Sequence, residues 1–204
     1  MNEIFKSLRT WVEINLDALE CNFDAVREAL PENIKILAVV KANAYGHGAI
    51  GVAKFLEDKA DYLAVAATDE ALELRKNGVG CPFLILGHIP YGDYDNIVKY
   101  NITPTISDFY EAELLSKAAV KAGVTAPLHI AVDTGMNRIG FKCDENSVEE
   151  IKKIKELPNI EIEGVFSHLA AADMLDKSYT EMQAKRFDDF VLKLENAGIN
   201  AHIK

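Results

Sequence analysis

The sequence is poor in the residues and patterns that mark a metal centre, a membrane segment or a nucleic-acid surface. Its 204 residues include three cysteines, and Cys21, Cys81 and Cys143 are far apart with no CxxC pair. An odd, scattered set of this kind excludes a zinc ribbon and a thioredoxin-type motif, and reads as reduced, half-buried thiols. His47, His88, His129 and His202 lack the spacing of metal ligands and no HExxH occurs, so no metal site is expected. Positive charge is in the minority, 22 basic against 32 acidic residues, and a formal net charge of −10 argues against a nucleic-acid partner. No apolar run approaches the ~20 residues of a membrane span. The opening Met1-Asn2-Glu3-Ile4-Phe5-Lys6 has no apolar core of a secretory signal. These absences point to a cytoplasmic protein with neither a membrane nor a nucleic-acid partner.

What is present is an ordinary globular composition, 49% hydrophobic and 26% charged, in a chain long enough for one sizeable core and a single domain over 1–204. Short apolar runs alternate with amphipathic stretches. Candidate strands are Trp11–Asn15, Ile34–Val40, Tyr62–Ala66, Phe83–Leu86, Thr103–Ile106, Leu128–Val132 and Ile160–Phe166. The stretches between them, such as Asp17–Ala29, Ala49–Asp58, Asp69–Asn77 and Asp108–Ala122, carry apolar residues at helical spacing and end at signals such as Asn77-Gly78 and Ala122-Gly123. Alternation of this kind builds βαβ units on a parallel sheet. No GxGxxG turn accompanies it, which disfavours a dinucleotide-binding fold. The expected fold is α/β, a (β/α)8 TIM-type barrel. Six core strands lie between Ile34 and Phe166, and His202-Ile203-Lys204 reads as the start of a seventh, so the barrel is expected to be incomplete. Lys41, His88, Asp133, Arg138 and His168 fall at strand C-terminal ends, the face on which such barrels carry chemistry.

The most informative run is Ala38-Val39-Val40-Lys41-Ala42-Asn43-Ala44-Tyr45-Gly46-His47-Gly48. An apolar strand delivers one lysine to its C-terminal end, a glycine-studded turn follows, and a helical pattern begins at Ala49. Taken alone, Lys41 reads as a surface lysine after a core strand. The polar groups and permissive backbone beside it turn the reading toward a bound cofactor, and a lysine at the mouth of a buried strand suits Schiff-base chemistry. A second cluster, Val132-Asp133-Thr134-Gly135-Met136-Asn137-Arg138-Ile139-Gly140-Phe141, brackets an arginine with glycines after an apolar strand. A third, Gly164-Val165-Phe166-Ser167-His168-Leu169-Ala170, sets a histidine at the end of another.

These runs closely resemble the motifs of alanine racemases: the lysine run is highly specific, and the Asp-Thr-Gly-Met-x-Arg-x-Gly and Phe-Ser-His segments agree with it. Tyr179-Thr180-x-x-Gln183-x-x-x-Phe187 and the opening Trp11-Val12-Glu13-Ile14-Asn15-Leu16-Asp17 extend the resemblance over nearly all of residues 9 to 204. It implies pyridoxal phosphate as cofactor, held as an imine on Lys41, with Tyr45 on the phosphate, Arg138 on the phenolic oxygen and substrate carboxylate, and His168 packed beside the ring. Once displaced by a substrate amine, Lys41 is one of two bases at the α-carbon. One departure from the pattern occurs: many members carry a carbamylated lysine on the strand before the arginine, and here the position is Ala131.

The resemblance further implies an isomerase that interconverts L- and D-alanine for cell-wall peptidoglycan and works as a homodimer. It also implies that the phosphate-binding serine, the arginine facing the pyridine nitrogen and a β-rich C-terminal domain, whose tyrosine is the second base across the dimer interface, are absent from these 204 residues. Three other readings stay open at this point: a serine or broad-specificity racemase, a pyridoxal-phosphate-binding module without turnover, and an inactive fragment.

Overall fold

The computed structural model describes residues 10–204, and the Met1–Lys6 opening lies outside them. Helix α1 (Leu16–Ala29) is capped by Asn15, whose side-chain oxygen accepts the Ala18 N–H at 3.0 Å. It leads into β1 (Leu37–Val39). Six further strands follow: β2 (Tyr62–Val65), β3 (Phe83–Ile85), β4 (Thr103–Ile106), β5 (Ala126–Asp133), β6 (Phe141–Lys142) and β7 (Ile160–Ser167). All pairs are parallel. The sheet runs β1-β2-β3-β4-β5-β6, and β7 pairs with β5 along most of its length. Between them lie α2 (Lys41–Tyr45), a left-handed turn, and the helices α3 (Ala49–Leu56), α4 (Thr68–Lys76), α5 (Tyr94–Lys99), α6 (Phe109–Ala122) and α7 (Glu145–Lys155), with α8 (Ser178–Asn196) after β7.

This is a partial TIM-type barrel. Strands β1 to β5 and β7 are its first six, and Ile203 bridges in parallel to Gly164 of β7, where a seventh begins. The residues of β2, β3 and β4 are buried throughout, as expected of parallel strands covered on both faces. Caps set the helix starts: Asp108 accepts the Glu111 N–H at 2.8 Å and Asp144 the Ser147 N–H at 2.9 Å. Two sequence expectations need correction. Trp11–Asn15 is not a strand: it pairs with no strand of the described sheet, and Val12 stays 76% exposed. The two-residue β6, in contrast, was invisible as a pattern. It forms because the chain after Arg138 turns back beside β5, pairing Val132 with Phe141 and Asp133 with Lys142.

Inside the barrel the β5 and β7 residues are fitted to each other. His129 is 2% exposed between the rings of Tyr62 and Phe166, and a Cβ on Gly164 would lie 2.5 Å from its imidazole. Its Nε2 is 3.1 Å from the Glu163 carboxylate. Burial pulls the His129 pKa below the ordinary value of 6.5, with the Glu163 hydrogen bond acting against that shift. The unfolded chain therefore takes up a proton here at higher pH than the fold does. This contribution to stability is complete above the unfolded value near 6.5 and is lost as pH falls from there through the folded value. The urea midpoint should drop between about pH 7 and pH 5.5, and His129→Gln should flatten that drop. Equal slopes in the two proteins would contradict it.

Candidate active site

Lys41 leaves the barrel one residue beyond Val40, whose N–H still bonds the Ala64 carbonyl of β2 at 2.8 Å. The turn that follows is left-handed. Ala42, Asn43, Ala44 and Tyr45 have φ of 51°, 55°, 51° and 54°, and Gly46 and Gly48 continue at 88° and 86°. The sequence suggested that glycine would supply the permissive backbone, yet four non-glycine residues share the task. Each such residue costs roughly 1–2 kcal/mol in this conformation. The turn persists because its polar groups are satisfied. Ala44 N–H bonds Val40 O at 2.9 Å, Asn43 Oδ1 accepts the Ala49 N–H at 2.8 Å, and His47 Nδ1 lies 2.9 Å from Ala44 O. The carboxylate of Glu70, in the first turn of α4, accepts the Ala42 N–H at 2.6 Å and the Ala66 N–H at 2.7 Å. It therefore ties the exits of β1 and β2 together.

Arg138 stands on the loop after β5. One Asp133 carboxylate oxygen accepts the N–H groups of Gly135 at 2.9 Å and Asn137 at 3.0 Å, folding the loop back on itself. Gly140 is required where the loop returns: a Cβ there would sit 2.9 Å from the Ala131 carbonyl. His168 follows β7. Its loop and the Arg138 loop are joined by Gln183 of α8, which is fully buried. Gln183 Oε1 accepts the Ala170 N–H at 2.8 Å, and its Nε2 donates to Thr134 Oγ1 and to His168 O, both at 3.1 Å.

Lys41, Tyr45, Arg138 and His168 line one cavity of about 320 Å³ at the C-terminal ends of the strands. That is the lower end of the ~300–1,000 Å³ range of small-molecule sites. Its walls are apolar, with Val39, Leu86 and Phe166 among them, and Ala131 is a buried wall that supplies no charge to Arg138. Among the described residues no Asp or Glu lines it. A lysine amine, a guanidinium, two imidazoles (His88 and His168) and a phenol thus meet in a site with no carboxylate, which suits an anionic ligand that has a reactive carbonyl. Among the described residues no group of three or more His, Cys, Asp or Glu side chains gathers as a metal site.

The family model described as "Alanine racemase, N-terminal domain" matches residues 14–204. The chain belongs to the alanine racemase family. It is 46% identical over 195 residues to the alanine racemase of Methanococcus maripaludis, covering 95% of this chain and 52% of that protein. It is 45% identical over 203 residues to that of Clostridium tetani, covering 98% and 52%. Among solved structures, alanine racemase of Clostridium difficile 630 superposes with a TM-score of 0.94 at 43% identity, over 97% of this chain and 53% of that one. The alanine racemase of Bacillus anthracis with bound L-Ala-P superposes with a TM-score of 0.87 at 36% identity, over 95% and 51%. The chain spans about half the length of the alanine racemases it matches.

Three site-shaping residues escaped the sequence reading. Glu70 reads as a first-turn acid favoured by the helix dipole, yet its two oxygens hold the lysine turn. Gln183 sits in a segment that matched the family without a role, and Glu111 in a plain helical pattern. The signal, a Glu at the third position of a helix and five residues after the end of a strand, was present at both Glu70 and Glu111 but has no meaning until the strand exits are placed. A larger groove of about 560 Å³, lined by apolar residues of α1 and β1 such as Phe23 and Val26, lies along the free edge of β1. Lys41, Arg138 and His168 do not line it. Since hydrogen bonds to charged groups contribute about 1.5–3 kcal/mol each, Glu70→Ala should lower stability by about 2 kcal/mol or more and loosen the left-handed turn. Hydrogen exchange at the Ala42 and Ala66 amides should accelerate in the variant, and unchanged protection would show that Glu70 does not hold the turn.

Proposed function

We propose that residues 1–204 form one pyridoxal-phosphate-binding domain of an alanine racemase, an isomerase that interconverts L- and D-alanine. The convergence of Lys41, Tyr45, Arg138 and His168 on one carboxylate-free cavity carries the reading. The cofactor's anionic phosphate and phenolic oxygen complement the cationic lining, and its flat ring suits the apolar walls. In this reading Lys41 Nζ would attach the cofactor, Tyr45 would donate its hydroxyl to the phosphate, Arg138 would hold the phenolic oxygen and the substrate carboxylate, and His168 would pack against the ring. When bound, pyridoxal phosphate supplies an electron sink for the pair left behind by the departing α-proton.

The protein's own part is to position and to move protons. Lys41 stands one residue beyond Val40 at the end of β1, a strand whose residues are half-buried or exposed, and a positioned base contributes about 10²–10⁴-fold in rate. With its amine free, Lys41 Nζ would accept the α-proton from one face. Arg138 fixes the substrate carboxylate, its forked donors matching a carboxylate in geometry and charge. The similarity to structures holding L-Ala-P and cycloserine supports alanine as the substrate. The whole protein is proposed to work in the cytoplasm as a homodimer that supplies D-alanine for peptidoglycan, with the second base contributed across the dimer.

Borohydride reduction in the presence of pyridoxal phosphate, followed by peptide mass analysis, tests the attachment. A stable adduct on the Lys41 peptide, absent in Lys41→Ala, is the expected result. A folded sample with no adduct, or with the same adduct in the variant, would rule Lys41 out.

A further inference from the structure

His88 lines the same cavity as Lys41, yet the proposed function gives it no role. Its place is closely fixed. It follows Gly87, where a Cβ would lie 2.3 Å from the Ala66 carbonyl, so the chain passes hard against the exit of β2 before the imidazole emerges. His88 Nδ1 is 2.6 Å from Glu111 Oε1. Glu111 is 1% exposed, and its other oxygen accepts the Ser107 N–H at 2.7 Å and the Ser107 hydroxyl at 2.9 Å. A backbone N–H can only donate, so that oxygen is committed as an acceptor. A single proton then lies between Oε1 and Nδ1. With the inner nitrogen engaged, Nε2 is the ring atom left to gain and lose a proton, and the side chain is 54% exposed on the cavity side of the pair. Tyr91 packs edge-on against the ring at 5.5 Å, and Tyr110 packs on Tyr91 at 5.2 Å.

We propose that His88 is a second proton-carrying residue of this cavity, serving the exchange of amines at the carbonyl that Lys41 captures, with Glu111 as the residue that positions it. This rests on the pyridoxal-phosphate reading above. A buried carboxylate on one imidazole nitrogen sets the tautomer and turns the other nitrogen to acid–base work. The groups around His88 are Glu111 and Tyr91 in contact, Asp108 and Tyr94 beside Glu111, and Lys41, Tyr45, Arg138 and His168 in the cavity wall. Lys41 begins as an ammonium. His88 Nε2 takes a proton from it, the freed lone pair forms the new C–N bond to the aldehyde carbon, and the imidazolium passes the proton to the departing oxygen. A second proton follows the same path. Two protons leave nitrogen, both end on oxygen, the C–O bonds break to release water, and charge is conserved.

Two measurements on the 204-residue chain test this. In ¹⁵N-histidine spectra the neutral His88 ring, assigned by its loss in His88→Gln, should be in the Nδ1–H form, and Glu111→Gln should shift it toward Nε2–H. The rate of pyridoxal phosphate capture at Lys41 should be measured against pH by borohydride quenching. His88→Gln should load Lys41 about 10²-fold more slowly, with the rise of rate with pH flattened, and Glu111→Gln should fall between. An Nε2–H ring in the parent, or a His88→Gln capture rate equal to the parent's across the pH range, overturns the proposal while an adduct on Lys41 leaves the cofactor reading intact. A parent that forms no Lys41 adduct overturns both.

Discussion

Around the mouth of this barrel four units are fastened to the one before them by a side chain of their own helix. Glu70 of α4 bonds the N–H of Ala66 at the exit of its own strand and reaches back with its other oxygen to Ala42 beyond β1. Glu111 of α6 repeats the device: one oxygen on Ser107 beyond β4, the other on His88 beyond β3. Glu150 of α7 accepts the N–H of Phe109 where α6 begins, at 2.9 Å, and Gln183 of α8 reaches Thr134 beyond β5 while holding the loop after β7. Parallel strand ends expose backbone donors that no ladder partner meets, and a buried donor left unpaired costs about 1–3 kcal/mol. Side chains carried on the following helix meet that need and fix the spacing of the exits at the same time. The cavity keeps its shape because its rim is clasped in sequence.

The clasp explains how a costly local conformation can be kept. The left-handed turn after Lys41 is unfavourable residue by residue, and Ala42 and Ala44 have no side-chain group to repay it. Its stability comes from outside, through the Glu70 carboxylate, and from within, through Asn43 on the first amide of α3. Strain of this kind gathers at sites where surrounding structure over-determines the backbone. Here it fixes the point at which the lysine leaves the strand and brings Tyr45 to the rim of the same cavity.

Strand and helix periods were legible because they are local. The runs at Tyr62, Phe83 and Thr103 fell within a residue of β2, β3 and β4, and Asp108 marked the start of α6 through its capping chemistry. Trp11–Asn15 misled because an apolar run says nothing about whether a partner strand is within reach. β6 was hidden for the opposite reason: two residues have no period, and their pairing depends on how the Arg138 loop folds over Gly140. At the site, Lys41, Tyr45, Arg138 and His168 stood out by motif, and their shared cavity is the structural counterpart of that pattern. Glu70, Glu111 and Gln183 did not, because an ordinary helical glutamate and one that holds two strand exits look the same until long-range contacts are known.

The position of the carboxylates also accounts for the electrostatics of the cavity. Glu70 and Glu111 lie behind its wall, with oxygens already taken by backbone, hydroxyl or imidazole donors. Asp133 is turned into its own loop by the amides of Gly135 and Asn137. Negative charge therefore shapes the site without entering it. Had any of these carboxylates pointed inward, it would pair with Lys41 or Arg138, and an anionic ligand would have to displace it. Occupying the acids elsewhere leaves the lysine amine and the guanidinium facing a cavity that no carboxylate lines among the described residues. The same arrangement that holds the strand exits in place thus also sets the charge of the ligand the cavity can take.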